Sequence, residues 1–472
     1  MRRLVLLLTP VALAVALALA GVLLTGAYTN GVPTADAQTT TKPNFVFILA
    51  DDMREDDLGY MPKTRSLLGG KGTRFDKAYV SLPVCCPARS TVMRGQYAHN
   101  TGVWVNSQWA GYKANGNEQD NVATRLDAAG YRTGLFGKYL NGYDGSTIPA
   151  GWDRWHAHID QRYYDYDVDV DGRLTHFGTA ESDYSTDVIK RQTQNFVATS
   201  SRRSSPFFAY VAPKAPHGPF NGPIPRHQHD FDGAKAPRPP SFNGQDVSDK
   251  PPWIRSLPRL TTAQIAAIDE RQEGRAESLQ ALDDLVGGVV NELRDSGQLG
   301  NTYVVFTSDN GFHMGEHRIP DEKAQPYEES VHVPLLIRGP GVQVGARTGK
   351  LALNTDYLPT FTDLAGIQTP AYVDGRSLRP VLEANSTAWR SAILLEQRYG
   401  RGSGVTFSGI RTSEGRKYVE YEGGERELYD LGTDPYELTN RYAGTPPAGL
   451  ASRLTALKTC SGDSCRAAED GP

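Results

Sequence analysis

The feature that most constrains the fold of this chain is a short, mostly apolar run that occurs five times along the sequence. The first run covers residues 45–49 and ends just before Asp51 and Asp52. A strand that is apolar at every position is buried on both faces, as the strands of parallel sheets are. The same pattern recurs at residues 132–136, 207–211, 303–307 and 333–337, with helical segments between the runs. We therefore predict an α/β fold in which helices cover both sides of a parallel sheet.

Two further patterns set the domain organisation. A long segment places Leu279, Leu282, Val286, Val289 and Leu293 on one stripe at helical spacing, which predicts a helix packed on the core. After residue 366, short strand-like runs at residues 393–396, 417–421 and 428–429 are separated by Gly-rich turns. We predict a smaller antiparallel α+β unit over residues 367–472, after a larger catalytic unit over residues 42–366.

The N-terminus has the pattern of an export signal. Residues 1–3 begin with Met and two arginines, an apolar run extends from Leu4 to about Leu24, and small residues lead to Ala37. We predict a signal peptide over residues 1–37 and a secreted or extracytoplasmic protein. The apolar run is also long enough to remain as a membrane anchor if it is not cleaved. The formal net charge of -4 lacks the basicity of a nucleic-acid binder, so we expect no nucleic acid as partner.

The four cysteines form two pairs that call for different explanations. Outside the cytosol, Cys460 and Cys465 can close a small loop as a disulfide. Neighbouring cysteines such as Cys85 and Cys86 rarely bridge each other, and a pair alone has too few ligands for a closed zinc site. One buried cysteine beside a spare thiol is the structural alternative. The adjacent pair otherwise indicates chemistry.

Polar residues at the ends of two apolar runs are candidate ligands of a hard cation. Asp51 and Asp52 follow the run at residues 45–49, and Asp309 and Asn310 follow the run at residues 303–307. Because ligands bind at the carboxyl ends of the strands in such sheets, these side chains can meet at one edge. Oxygen ligands suit calcium or magnesium rather than zinc. A single Asp pair is more often an Asx turn, but the repeated pattern favours a metal site.

Cys85 lies where a helix is predicted to begin. Pro87 suits the first helical position before residues 88–93, which places Cys85 at the helix N-terminus. The exposed amides there favour an anion. Arg89, four residues later, can lie on the same side with a guanidinium suited to oxyanions. These residues predict a site for sulfate or phosphate.

At this motif the chain resembles the sulfatase family, whose signature Cys-x-Pro-(Ser/Ala)-Arg is matched by residues 85–89. The resemblance implies an alkaline-phosphatase-like fold, with a large mixed, mostly parallel sheet, and a sulfuric ester hydrolase. It is strongest to the N-acetylglucosamine-6-sulfatases and extracellular heparan endosulfatases, which implies a sulfated carbohydrate or aryl sulfate as substrate. The further matching motifs, in family order, are residues 51–52 (DD), 137–141 (GKYLN), 149–152 (PAGW), 215–219 (APHGP), 308–311 (SDNG), 427–431 (ELYDL) and 434–435 (DP).

The resemblance also implies a modified residue and a metal. Cys85 would be oxidised to formylglycine by a formylglycine-generating enzyme, and the hydrated aldehyde would provide one hydroxyl to attack sulfur and another to expel sulfate. Position 85 would share the metal with four further ligands, and the ion would be Ca²⁺, with Mg²⁺ as the alternative. Those ligands are Asp51, Asp52, Asp309 and Asn310.

Four side chains take catalytic roles by the same resemblance. Arg89 would orient the hydrated aldehyde, while Lys138 and Lys323 would bind sulfate oxygens and stabilise charge in the transition state. His217, on a loop between two prolines, would protonate the departing alcohol, because histidine titrates near neutrality.

Other positions and functions stay open. Leu140 stands where other family members carry a histidine, so the base of the elimination step is not identified. Residues 93–96 depart from the family's usual Leu-Thr-Gly-Arg, which bears on recognition by the maturation enzyme. His313 either faces the site or packs beside it. The rival functions are a phosphodiesterase or phosphonate monoester hydrolase of the same superfamily, and a carbohydrate-binding protein on a decayed sulfatase scaffold.

Overall fold

The computed structural model describes residues 42–220, 225–385, 388–398 and 405–471. The predicted signal peptide lies outside the described residues. From Lys42 onward the chain forms one compact unit, and the division predicted at residue 366 remains a prediction. Among the described residues, no helix combines the length and apolarity needed to cross a bilayer.

The strands form one large sheet, one small antiparallel sheet and a two-stranded pair. The strands are β1 Asn44–Ala50, β2 Thr73–Phe75, β3 Ala78–Tyr79, β4 Arg132–Gly137, β5 Arg154–His158, β6 Tyr166–Val170, β7 Arg173–Phe177, β8 Phe207–Ala212, β9 Thr302–Ser308, β10 Leu335–Arg338, β11 Ala346–Thr348, β12 Ala352–Leu353, β13 Ala392–Gln397, β14 Phe407–Thr412, β15 Arg416–Tyr421 and β16 Arg426–Asp430. The large sheet has ten strands in the order β11-β2-β10-β9-β1-β8-β4-β5-β6-β7, and the small sheet has the order β13-β14-β15-β16.

The centre of the large sheet is parallel, as predicted. Strands β9, β1, β8, β4 and β5 pair in parallel in that order, and four of them are the first four apolar runs. Every residue of β1 is buried, because helices cover both faces of the sheet. The large mixed sheet with flanking helices confirms the predicted fold class.

The fifth apolar run does not have the predicted parallel direction. It forms β10, which begins at Leu335 rather than residue 333 and pairs antiparallel with both β9 and β2. Its apolar residues are buried all the same. A continuous apolar run indicates burial on both faces, and burial does not fix strand direction.

The large sheet separates two hydrophobic cores, one on each of its faces, and helices cover both. Phe45 and Phe47 point into one core, while Val46 and Ile48 point into the other, as the two-residue period of a strand requires. The helices are α1 Pro62–Thr64, α2 Cys85–Arg94, α3 Ala98–Thr101, α4 Trp109–Ala114, α5 Val122–Ala128, α6 Ser185–Ser200, α7 Pro252–Arg255, α8 Thr262–Asp295, α9 Glu328–Val331, α10 Tyr357–Leu364, α11 Arg379–Leu382, α12 Ala448–Leu457 and α13 Asp463–Asp470.

Helix α8 contains the predicted apolar stripe. It begins after a capping box in which Thr261 and Gln264 bond to each other's backbone amides, which satisfies amides at the helix N-terminus. All five predicted stripe residues, from Leu279 to Leu293, are buried in the core that α8 shares with α6. The stripe prediction is confirmed for this C-terminal half of the helix.

The C-terminal region has the predicted antiparallel sheet. Strands β13 to β16 pair antiparallel with their neighbours; β14 was not predicted, and it completes the sheet. The sheet packs on helix α12 through a third core that includes Leu454 and Leu457. Cys460 and Cys465 form the predicted disulfide, which closes the loop between α12 and α13.

Candidate active site

The candidate site lies where β1 and β9 end side by side. Ala50 pairs with Ser308 at the last position of the two strands, and the backbone N–H of Asp309 donates to the carbonyl of Ala50 at 3.1 Å. Parallel strands bring their carboxyl ends to one sheet edge. Asp51 and Asp52 are therefore brought next to Asp309, as the sequence predicted.

Hydrogen bonds lock these residues to one another. The backbone N–H of Asp52 donates to Oδ1 of Asp309 at 3.1 Å, and Nδ2 of Asn310 donates to Oδ1 of Asp52 at 2.6 Å. Asn310 is fully buried, yet its amide oxygen has no hydrogen-bond partner. A buried acceptor without a donor is costly, so this oxygen is suited to face a cation.

Cys85 stands at the N-terminus of α2, beside these carboxylates. The helix begins at Cys85 itself, so Pro87 is its third residue and not its first. The Cys85 thiol lies 3.4 Å from Oδ1 of Asp51 and 2.9 Å from Nζ of Lys323. In the protein chain alone, burial and the charge of Asp51 raise the pKa of this thiol to about 12, which keeps it protonated.

Arg89 extends from the next turn of α2 into the same cluster. It is 0% exposed, its Nε donates to Oδ2 of Asp309 at 2.8 Å, and its Nη1 donates to the carbonyl of Lys138 at 3.2 Å. Nη2 lies 3.6 Å from Oδ2 of Asp51. The guanidinium therefore links the ends of three strands, β1, β4 and β9.

Two lysines complete the charges. Lys138, directly after β4, places Nζ 2.5 Å from Oδ2 of Asp51, and Lys323 reaches Asp52 from an irregular loop. Burial acts against the charged forms, but the facing carboxylates raise the pKa of both lysines. Both side chains are therefore ammonium ions at neutral pH.

The same contacts set the ionisation of the aspartates. Burial acts to raise the pKa of Asp51, but the charges of Lys138, His217 and Arg89 outweigh it and hold this pKa well below its usual range. Burial opposes Lys323 in the same way at Asp52, whose pKa is also lowered. Both carboxylates are thus ionised and available to a cation.

His217 lies on the loop that follows β8. Its Nε2 is 3.4 Å from Oδ2 of Asp52, and its side chain is 36% exposed. Burial by neighbouring groups lowers its pKa, while Asp52 acts in the opposite direction. His217 lines the open cleft together with two other members of the cluster, Asp52 and Lys323.

The donor set fits a hard cation. One ligand atom each from Asp51, Asp52, Cys85 and His217 lies within 4.8 Å of the others. Asp309 and Asn310 are bonded to Asp52 in the same cluster, and the unpaired oxygen of Asn310 adds a neutral ligand. Carboxylate and amide oxygens are the ligands of calcium and magnesium.

A cleft of about 820 Å³ opens from this cluster, and most of its wall was not predicted. The N-terminal half of α8 forms one side of it, although the sequence indicated only a core-packing helix. Carboxylates outnumber cations along the wall, six to three. The charged lining residues are Asp52, Glu270, Arg271, Glu273, Arg275, Glu277, Asp321, Glu322 and Lys323.

Two buried cations next to the catalytic cluster were also missed. Nη2 of Arg275 donates to the carbonyl of Asp52 at 2.8 Å and contacts the carboxylate of Asp57. Lys214, three residues before His217, is 3% exposed, and burial lowers its pKa to about 7. Neither belongs to a local motif, so only the three-dimensional contacts identify them.

Three residues that were considered for the site lie outside the cluster. Leu140 is buried in the hydrophobic core, and its hydrocarbon side chain supplies no base. His313 is fully buried, with its ring 6.1 Å from that of Tyr327, which favours the packing interpretation. Cys86 has 0% exposure, and its thiol lies 3.8 Å from the carbonyl of Asn141.

Comparison with known proteins identifies the family. The sulfatase family model matches residues 43–367, and a model described as N-sulphoglucosamine sulphohydrolase, C-terminal, matches residues 315–459. The chain is 33% identical over 485 residues to N-acetylglucosamine-6-sulfatase of Homo sapiens, a match that covers 91% of this chain and 87% of the human protein.

Two further comparisons agree. The chain is 36% identical over 395 residues to the extracellular sulfatase SULF-1 homolog of Drosophila melanogaster, covering 80% of this chain but only 35% of that longer protein. A protein solved in complex with its substrate D-glucosamine-2-N,6-O-disulfate has the same fold, with a TM-score of 0.77, 24% identity and coverage of 91% and 99% of the two chains. Because the family match covers more than half of its length, the chain belongs to the sulfatase family of sulfuric ester hydrolases.

Proposed function

We propose that this sulfatase removes sulfate from a sulfated sugar such as N-acetylglucosamine 6-sulfate, with a formylglycine made from Cys85 and a bound Ca²⁺. The observation that carries the proposal is the position of Cys85, at a helix N-terminus between carboxylates and Lys323, 2.9 Å from its Nζ. An anionic ester group placed there meets helix amides and cations together.

Asp51, Asp52, Asp309 and Asn310 would hold the ion together with position 85, and the bound cation would polarise the sulfate and lower the pKa of a hydroxyl beside it. The hydrated aldehyde of formylglycine would supply the hydroxyl nucleophile that a thiol cannot replace.

The other side chains act on the sulfate group and the leaving oxygen. Lys323 and Lys138 stay charged and buried beside Cys85, so they would stabilise charge on the sulfate oxygens. Arg89, bonded to Asp309, would keep the nucleophile side of the cluster in place. His217, at the mouth of the cleft, would give its Nε2 proton to the departing alcohol.

The size of the cleft and the identity of the relatives support a sugar substrate. A cleft of about 820 Å³ falls in the range that holds small-molecule ligands. The human relative is an N-acetylglucosamine-6-sulfatase, and the Drosophila relative is an extracellular sulfatase. We also propose that this protein acts outside the cytoplasm, because the Drosophila relative is an extracellular sulfatase and the N-terminal sequence has the pattern of an export signal.

The test is the specificity of the matured enzyme. The full chain should be co-expressed with a formylglycine-generating enzyme, and mass spectrometry should show an aldehyde at position 85. We expect sulfate release from N-acetylglucosamine 6-sulfate and 4-nitrophenyl sulfate to exceed turnover of the matching phosphate monoester, phosphate diester and phosphonate ester. A preference for a phosphorus ester, or activity that persists with an unmodified thiol, would overturn the proposal.

The neighbouring cysteine provides the matched control. Cys85→Ala should reduce sulfate release to background while the protein stays folded. Cys86→Ser changes an equally buried thiol one residue away and should retain most of the activity, because Cys86 points into the hydrophobic core. Loss of activity in both variants to the same extent would contradict a specific role for Cys85.

A further inference from the structure

The loop that carries His217 is tied together by the buried ammonium group of Lys214. Its Nζ donates to the carbonyl oxygens of His217, Gly218 and Pro219 at 2.8, 2.9 and 3.1 Å. An ammonium group has three N–H donors, so one side chain satisfies three consecutive carbonyls. With Lys214 only 3% exposed, water does not compete freely for these bonds.

Tyr163 contacts both Lys214 and the backbone of His217. Its ring centroid lies 4.3 Å from Nζ of Lys214, and its hydroxyl donates to the carbonyl of His217 at 3.1 Å. The ring is itself fixed by stacking on Tyr184 at 5.3 Å. A cation over an aromatic face gains electrostatic stabilisation, more so when it is desolvated. The three carbonyls and the ring favour the ammonium form of Lys214, and they oppose the burial that lowers its pKa to about 7.

The same carbonyls set the direction of the His217 imidazole. The carbonyl oxygen of Gly218 pairs with Nδ1 of His217 as well as with Lys214. A carbonyl can only accept, so Nδ1 carries a proton in this pair, and the acid form of His217 is the imidazolium, which carries a second proton on Nε2. The other ring nitrogen, Nε2, then faces Asp52 at 3.4 Å and the open cleft.

We propose that Lys214 is a positioning residue that aims Nε2 of His217 at the leaving oxygen, by fixing the three carbonyls that follow it. This inference rests on the proposed role of His217 as the acid in sulfate-ester hydrolysis. Lys214 does not contact the substrate itself and acts on the reaction only through the orientation of His217. Without the ammonium group, three buried carbonyls lose their donor, the Gly218 carbonyl is free to rotate, and the imidazole loses its fixed direction.

The test uses the dependence of rate on the leaving group. The alcohol of a sugar needs a proton as it departs, whereas 4-nitrophenolate leaves without one. For Lys214→Met we expect kcat on N-acetylglucosamine 6-sulfate to fall about 10- to 100-fold, part of the 10²- to 10⁴-fold typical of an acid catalyst. On 4-nitrophenyl sulfate kcat should fall less than about 3-fold, and KM should change little for either substrate.

His217→Ala separates the two levels of the proposal. It should show the same leaving-group pattern with a larger loss, and the double variant should be no slower than His217→Ala alone. If His217→Ala shows the pattern but Lys214→Met slows both substrates equally, or the two losses multiply, the positioning role is wrong and the acid role stands. If His217→Ala itself lacks the pattern, the acid role fails, and the positioning inference fails with it.

Tyr163→Phe keeps the test valid if Lys214→Met does not fold. This variant retains the ring and its stacking and removes only the hydroxyl that donates to the His217 carbonyl. We expect a loss in the same direction, smaller than that of Lys214→Met and again confined to the sugar sulfate. An equal effect on both substrates would overturn the inference.

Discussion

Replacing Arg275 by methionine should destabilise the fold by about 3–5 kcal/mol, because it leaves a buried carboxylate without its cation. Arg275 and Asp57 form an ion pair in which each side chain is 2% exposed. Arg275 also donates to the carbonyl of Asp52 at 2.8 Å. The backbone of Asp52 is in the left-handed region, with a φ of 62°. The variant should therefore lose activity as well as stability.

The loss should depend on pH in a defined direction. Burial already raises the pKa of Asp57, and Arg275 opposes that rise, so removing Arg275 raises this pKa further. A carboxyl with a folded pKa above its unfolded value binds more protons in the folded state, which makes stability fall as pH rises. The difference between wild type and Arg275→Met should grow between about pH 5 and pH 7, by up to about 1.4 kcal/mol per pH unit.

Urea unfolding at several pH values measures both effects, with two control variants. Asp57→Asn combined with Arg275→Met removes the charge pair as a whole and should recover at least half of the lost stability. Arg271→Met, one turn earlier on α8, breaks an exposed pair with Asp321 and should cost less than about 1 kcal/mol. The reasoning is refuted if Arg275→Met costs no more than Arg271→Met, or if the double variant is as unstable as the single one.

Three further predictions concern pH, metal and substrate charge. Burial and the charge of His156 lower the pKa of His158 to about 3, so His158 gains its proton in the unfolded state at a higher pH than in the folded state. Between pH 7 and pH 5 the free energy of unfolding, measured in urea, should therefore fall by about 2 kcal/mol more in wild type than in His158→Phe. Ca²⁺ at about 100 times its Kd should stabilise the protein by about 2.7 kcal/mol in thermal unfolding, and Asp309→Asn should remove most of that shift; a larger shift with Mg²⁺ would contradict calcium. Because carboxylates dominate the cleft wall, kcat/KM should be lower for glucosamine 2-N,6-O-disulfate than for N-acetylglucosamine 6-sulfate. Glu270→Gln and added salt should both bring the two kcat/KM values closer together. An unchanged ratio of the two values would argue against the charge of the wall as the cause of the difference.

The part of the site that could be predicted from sequence is the part built by strand ends. Asp51 and Asp309 each lie just beyond an apolar run, separated from it by one residue. Because parallel strands end at a common edge, their meeting follows from the fold. Lys323 comes from an irregular loop, and only the family resemblance pointed to it. No residue pattern specifies which way such a loop folds back, because its path depends on contacts with distant segments.

The missed residues act through contacts that no sequence window contains. Arg275 reaches the carbonyl of Asp52 across 223 residues of sequence, and its helix looked like an ordinary amphipathic one. In the sequence, Lys214 looks like any solvent-exposed lysine after a strand. Its burial depends on Tyr163, which lies 51 positions earlier in the sequence. Strand direction was misjudged at β10 for a related reason, since pairing partners lie far away along the chain.

The balance of charge in the site should favour sulfate esters over phosphate esters. Around Cys85, within the described residues, three buried carboxylates are paired with three buried cations, so a bound divalent ion would leave a surplus of two positive charges. A sulfate monoester carries one negative charge, and further negative charge develops on the attacking and leaving oxygens only in the transition state, so this surplus would match the transition state better than the substrate, as catalysis requires. A phosphate monoester is already largely a dianion at neutral pH, and the same surplus would bind its ground state as well. The charged groups are Asp51, Asp52, Asp309, Arg89, Lys138 and Lys323.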